Sequence, residues 1–124
     1  MDTARFQEVN PVLPVRNVSD AIAYYMQKLG FRLLFQDAPH DPKYAGVERD
    51  GVRLHLQWHD AADFASVEKL ALRFVIDDED SLFEEYRDKD VFHAQTALRD
   101  TAWGTREFAF YDRDGNGLLF YRAL

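Results

Sequence analysis

Four side chains able to contact a ligand or an ion recur at every second position along one stretch of this 124-residue chain: Arg53, His55, Gln57 and His59. Leu54, Leu56 and Trp58 are interleaved with them. Alternation with a period of two puts the two sets on opposite faces of a strand. The apolar set packs on a helix, and the polar set looks into a cleft or into solvent. An amide on such a face can hydrogen-bond a peptide-like molecule, and an imidazole changes charge near neutrality. Two histidines also raise the question of a metal, but residues i and i+4 of a strand lie about 13 Å apart, too far for one ion. Neither His40 nor His93 supplies a third ligand at a justified spacing. Polar cleft or surface histidines are the better reading.

Other chemistries are thinly represented. The chain has no Cys, which excludes disulfides, thiolate catalysis and Cys-based zinc sites. Its serines, Ser19, Ser66 and Ser81, have no adjacent histidine, and there is no Gly-rich phosphate loop. Arg106-Glu107 reads as an ion pair or a solvated face rather than a catalytic dyad. The acidic run Asp77 to Asp80 suits a helix N-terminus, where the dipole favours negative charge. Aromatic residues are abundant, at 15% with ten Phe, six Tyr and two Trp. Such rings build cores but also line pockets for flat ligands. Trp103 stands in a short polar loop, where a large ring is either a ligand contact or an anchor for the loop.

The charge narrows the partners. Twenty-two acidic residues face fifteen Lys and Arg, a formal net charge of −7. That surface repels nucleic acid and acidic membranes and favours a cationic ligand, although acidity also serves solubility alone. Met1 to Asn10 holds no apolar signal region, and no apolar run approaches membrane-spanning length. The expected location is the cytoplasm.

These side chains need elements to position them. Val9 to Val15, broken by Pro11 and Pro14, reads as an edge strand. Asn17 or Ser19 can cap a helix with a stripe of Ile22, Tyr25, Met26 and Leu29, ending at Gly30. Strands follow at Phe31 to Gln36 and Tyr44 to Glu48, after a proline-bearing loop from Asp37 to Lys43. The Asp50-Gly51 turn then leads into a strand from Val52 to Trp58. Leu70 to Ile76 opens a second half. A helix with Leu82, Phe83 and Tyr86 comes next, then strands at Val91 to Leu98, Glu107 to Tyr111 and Leu118 to Arg122. Arg49-Asp50-Gly51 is echoed by Arg113-Asp114-Gly115, and Gly30-Phe31 by Val91-Phe92. An internal repeat of about sixty residues implies two copies of a βαβββ module. We expect an α+β fold within a single domain over residues 1–124. Its modules cover approximately 7–60 and 68–124 and form a curved mixed sheet with a cleft.

The same residues resemble a known family. Pro11-Val12-Leu13-Pro14-Val15-Arg16-Asn17-Val18 is similar to the opening strand of the glyoxalase/bleomycin-resistance/dioxygenase (vicinal oxygen chelate) superfamily. Tyr24-Tyr25 through Leu29-Gly30-Phe31 resembles its first helix. Tyr44-Ala45-Gly46-Val47 with Arg49-Asp50-Gly51-Val52 resembles its central hairpin. Trp103-Gly104-Thr105-Arg106-Glu107-Phe108-Ala109 with Asp112-Arg113-Asp114-Gly115-Asn116 resembles the C-terminal block of the bleomycin-resistance branch. Arg113 stands where that branch usually has Pro.

The resemblance implies a homodimer with two clefts at its interface, often with an exchanged N-terminal strand. It implies a ligand-contacting set of Phe35, Tyr44, His55, Gln57, Trp103 and Arg106, and as ligand a bleomycin-type glycopeptide antibiotic held without catalysis. The superfamily's metal positions fall on Asn10, His55, Ala71 and Leu119, of which only His55 is a natural ligand. No metal and no cofactor are therefore expected. The alternatives are a divalent-metal lyase or dioxygenase of the same superfamily, and a binder of an unrelated metabolite.

Overall fold

A computed structural model describes residues 3–124. The element order is β1 (Val12–Val15), α1 (Val18–Gln27), β2 (Arg32–Gln36), β3 (Tyr44–Arg49), β4 (Val52–Trp58), α2 (Ala61–Ser66), β5 (Ala71–Val75), α3 (Glu79–Arg87), β6 (Arg99–Asp100), β7 (Thr105–Tyr111) and β8 (Gly117–Ala123). The strands form two mixed four-stranded sheets, ordered β1-β4-β3-β2 and β5-β8-β7-β6. Each has a parallel outer pair and antiparallel neighbours. The α+β class and the two-module organisation expected from the sequence are both present.

Local chemistry accounts for the elements. The Asn17 side chain caps α1 by accepting from the Asp20 amide at 2.9 Å. Asp78 does the same for α3 at the Ser81 amide, 3.0 Å. Asp50 (φ 51°) and Gly51 (φ 82°) both take left-handed backbone, as a two-residue hairpin turn with the correct twist requires. The buried face of α1 is Val18, Ala21, Ile22 and Tyr25. Met26, expected in that stripe, is 43% exposed.

Three expectations are corrected. The first strand is shorter than Val9 to Val15, because Val9 and Asn10 precede the ladder. Val91 to Leu98 is not a strand. Its apolar residues do not alternate. Val91 and Phe92 are consecutive, and Phe92 packs against Phe83, Phe108 and Phe110. A turn then closes between His93 and Thr96, and the Thr96 hydroxyl donates to the Ala109 carbonyl at 2.9 Å. Only the two residues of β6 pair with β7. The third correction is α2, a six-residue helix after Asp60 that buries no side chain and so leaves no apolar stripe to read.

One core runs through both modules, from Leu13, Val15, Tyr25 and Leu29 to Tyr86, Phe108, Phe110 and Phe120. Each module's helix donates a tyrosine hydroxyl to the other module. Tyr25 donates to Asp112 at 2.7 Å, and Tyr86 donates to the Leu29 carbonyl at 2.8 Å. The Tyr25 contact is the centre of a buried web. Asp112 also accepts the amides of Asp114 and Asn116, both at 2.9 Å. Asp114 accepts the amide and Nε of Arg16, at 3.1 and 2.9 Å. Asn116 accepts the Leu70 amide at 3.0 Å and donates to the Pro14 carbonyl at 3.2 Å. Burial pushes the Asp112 carboxyl up from its ordinary range, while the Tyr25 hydroxyl and the turn amides pull the other way. A second link runs from the first module to the second, where Arg49 forks onto Glu85 at 2.7 and 2.8 Å while also donating to the Leu29 carbonyl at 2.8 Å.

Tyr25→Phe removes a buried hydrogen bond to a carboxylate without removing the ring. It is expected to lower unfolding free energy by about 2 kcal/mol in a urea titration. A loss under about 0.5 kcal/mol would show that the web does not hold the modules together.

Candidate functional site

The cleft face of the first sheet follows from its register. Gly46 lies opposite His55, and Tyr44 opposite Gln57. Val12 pairs with His55, and Pro14 with Gln57. The β2–β3 register slips between Leu33 and Phe35. This bulge brings Phe35 opposite Gly46, where the missing side chain leaves room for its ring. A Cβ on Gly46 would lie 2.3 Å from the Phe35 ring, far inside contact distance.

Phe35, Tyr44 and His55 are thereby assembled into one cluster. The Phe35 and Tyr44 rings stack at 6.3 Å, and His55 meets each edge-on at 5.3 Å. The Tyr44 hydroxyl and His55 Nδ1 are 2.7 Å apart, which fixes the imidazole's orientation. Phe35 is 44% exposed, and Gln57 beside Tyr44 is exposed, so aromatic and amide groups share an open face. Beyond them the face turns ionic. The buried Glu48 lies between Arg32, its partner on β2, and Arg53, whose Nε is 3.1 Å away. Hydrogen bonds from Arg53 and then Arg32 hold the Glu48 carboxyl below its usual range.

The remaining expected residues lie in the second module. Trp103 is 64% exposed in the turn before β7, with the Arg99 guanidinium 5.8 Å from its ring centre. No aromatic contact joins it to the Phe35 cluster among the described residues. Arg106 lies on the helix-facing side of β7, paired with Asp80 of α3 and with Asp100, both at 2.9 Å. It is not brought to the cleft face. Its neighbour Glu107 is, together with Thr105, Ala109 and Tyr111 on β7 and Leu119 and Tyr121 on β8. The sequence pairs Glu107 with Arg106 as an ion pair or solvated face, but alternation with Phe108 and Phe110 puts the two on opposite faces of β7.

Two open grooves among the described residues lie elsewhere. One of about 440 Å³ runs between α1 and the β7–β8 turn, past Tyr24, Lys28 and Arg113. One of about 250 Å³ lies beside the N-terminal arm and β5. The aromatic cluster thus sits on an uncovered sheet face rather than in a closed pocket.

A metal centre does not fit this site. Among the described residues no three His, Cys, Asp or Glu side chains converge as an ion would need. Ala71 and Leu119 carry no donor atom, and the Nδ1 of His55 is engaged by Tyr44. No helix among the described residues is long and apolar enough to cross a membrane.

A fold of two paired βαβββ modules defines the class, and the chain belongs to the Glyoxalase/Bleomycin resistance protein/Dioxygenase superfamily, whose family model matches residues 6–120. Among characterised relatives it is similar to the bleomycin resistance proteins of Geobacillus stearothermophilus and Staphylococcus aureus. Each is 27% identical over 92% of this chain and 95% of the relative. Among solved structures it is similar to the bleomycin-binding protein of bleomycin-producing Streptomyces verticillus complexed with copper(II)-bleomycin. That match has a TM-score of 0.79 and 26% identity, covering 98% of this chain and all of the other.

Two outcomes test the geometry. Gly46→Ala must displace Phe35. It is expected to cost about 1–3 kcal/mol and to abolish the ring contacts between Phe35 and His55 in a nuclear Overhauser experiment; retained contacts would disprove the close fit. Glu48 is held below its unfolded value, so its ion pairs stabilise the fold above the ordinary carboxylate range. That contribution is lost as pH falls through the folded value. Glu48→Gln should therefore flatten the acid side of a stability–pH profile while leaving its slope above pH 7 unchanged, and an unaltered acid side would refute it.

Proposed function

We propose that this protein binds a bleomycin-type glycopeptide without chemical change, in clefts formed between the sheets of a homodimer. The observation that carries the reading is the Phe35–Tyr44–His55 cluster on an open sheet face, in a chain related to bleomycin resistance proteins. Flat heteroaromatic rings stack on such a face, and Gln57 beside it offers an amide to a peptide-like ligand. A net charge of −7 attracts a cationic antibiotic. Stoichiometric capture is enough to protect a cell.

What one chain leaves uncovered supports the dimer. Val75, Trp103 and Tyr111 are 72%, 64% and 63% exposed, an apolar surface that a partner's first sheet would cover. The N-terminal arm is exposed from Thr3 to Val9, with Phe6 fully exposed and Val9 87% exposed. Exchange of this arm would give both residues a surface to pack on. In such a dimer Trp103 of one protomer faces the Phe35 cluster of its partner. A different metabolite on the same face is the competing outcome of the test.

Calorimetric titration with metal-free and copper-loaded bleomycin is expected to give sub-micromolar binding at one ligand per chain. Phe35→Ala should weaken it by at least roughly tenfold. No heat at high micromolar drug overturns the antibiotic assignment. Sedimentation should show a dimer that dissociates when residues 1–9 are removed, and an unchanged dimer would refute the role of the arm.

A further inference from the structure

The cleft face of the second sheet holds a carboxylate that neither the fold nor the aromatic cluster explains. The Glu107 side chain is 3% exposed. A carboxylate can accept about four hydrogen bonds, yet Glu107 has two neighbours that donate. The Thr105 hydroxyl is 3.0 Å from Oε2, and Arg99 Nη2 is 3.4 Å from Oε1. The Thr105 hydroxyl is itself tied to Thr101 at 2.8 Å. Across the ladder stands Tyr121, whose ring carries the Arg73 guanidinium at 4.6 Å.

Arg99 is the weak member of this group. It is 64% exposed and belongs to a strand of two residues. Its guanidinium reaches Glu107 at the long end of ion-pair distance and lies 5.8 Å from the Trp103 ring centre. A carboxylate beside an aromatic ring is the arrangement that captures a cation, with the charge against the acid and the flat or methylated surface against the ring. Here Arg99 fills it from within the chain, held by little.

We propose that Trp103 and Glu107 form a cation-binding subsite occupied at rest by Arg99, and that a guanidinium, ammonium or sulfonium group on the ligand binds by displacing it. The inference rests on the reading that Trp103 lies at the ligand cleft. Arg99 then acts as a competitive placeholder. It keeps the buried carboxylate partnered in the free protein, since an unpaired buried charge is costly, and yields when a better-fitting cation arrives. The subsite discriminates between ligands by their charged tail, whereas the Phe35 cluster selects flat rings.

The test uses the full-length protein carrying Trp58→Phe, so that Trp103 alone reports by fluorescence. The probes are agmatine, which presents a guanidinium and an ammonium, and two bleomycins, one with a cationic tail and one cut back to the terminal carboxylic acid. Arg99→Ala vacates the subsite and is expected to tighten agmatine and the cationic bleomycin roughly threefold, a gain that misfolding cannot produce. Glu107→Gln should weaken both about tenfold, with circular dichroism confirming the fold. Neither substitution should change affinity for the tail-less acid. Unchanged or weaker cation binding in Arg99→Ala overturns the proposal. Agmatine behaving as expected while no bleomycin binds any variant supports the subsite and removes the antibiotic reading instead.

Discussion

The two halves of this protein are joined by a charge kept out of water. Asp112 sits in the turn between β7 and β8, takes the Tyr25 hydroxyl from the first module, and organises the amides of Asp114 and Asn116 around itself. Asp114 and Asn116 then hold Arg16, Pro14 and Leu70. A buried carboxylate is tolerated only when donors surround it, and the donors come from both modules. If the modules part, the charge loses its partners. Burial opposes ionisation and the donors favour it, so the turn is stable only when assembled. The position of the first strand, the entry of α1 and the start of β5 all follow from that single turn.

Much of the architecture is legible locally. The alternation from Val52 to Trp58, the capped helix after Asn17 and the Asp50-Gly51 turn are patterns of neighbouring residues, and they form as the spacing indicates. The repeated Arg-Asp-Gly signal marks equivalent hairpins. What escapes is whatever depends on distant partners. Val91 to Leu98 has strand-like composition, but Phe92 is drawn into a ring cluster and Thr96 bonds a carbonyl on the next strand. The short helix after Asp60 fully buries no side chain and leaves no stripe. Tyr25 and Asp112 are 87 positions apart, and no local pattern announces their contact.

The same division applies to the candidate site. The diagonal contact of Tyr44 with His55 follows once a hairpin is drawn through Asp50-Gly51, since its register sets Tyr44 opposite Gln57 and His55 opposite Gly46 on one face. The entry of Phe35 depends on a slip in register and on the bare backbone of Gly46. Arg106 faces α3 because its neighbours Phe108 and Phe110 are buried on that side. An odd–even count along β7 therefore assigns Arg106 to structure and Glu107 to the cleft face.

The duplicated ladder also has a consequence for direction. Gly46 opposite His55 corresponds to Ala109 opposite Leu119, and Tyr44 opposite Gln57 corresponds to Glu107 opposite Tyr121. Backbone pairing is repeated while the chemistry at these positions has diverged, with Tyr44 and His55 on one sheet and Glu107 and Leu119 on the other. A molecule lying between two such faces meets unlike walls. A ligand held there would exchange contacts with Tyr44 and His55 for contacts with Glu107 and Tyr121 on being turned over, so an unsymmetrical one would have a single preferred orientation.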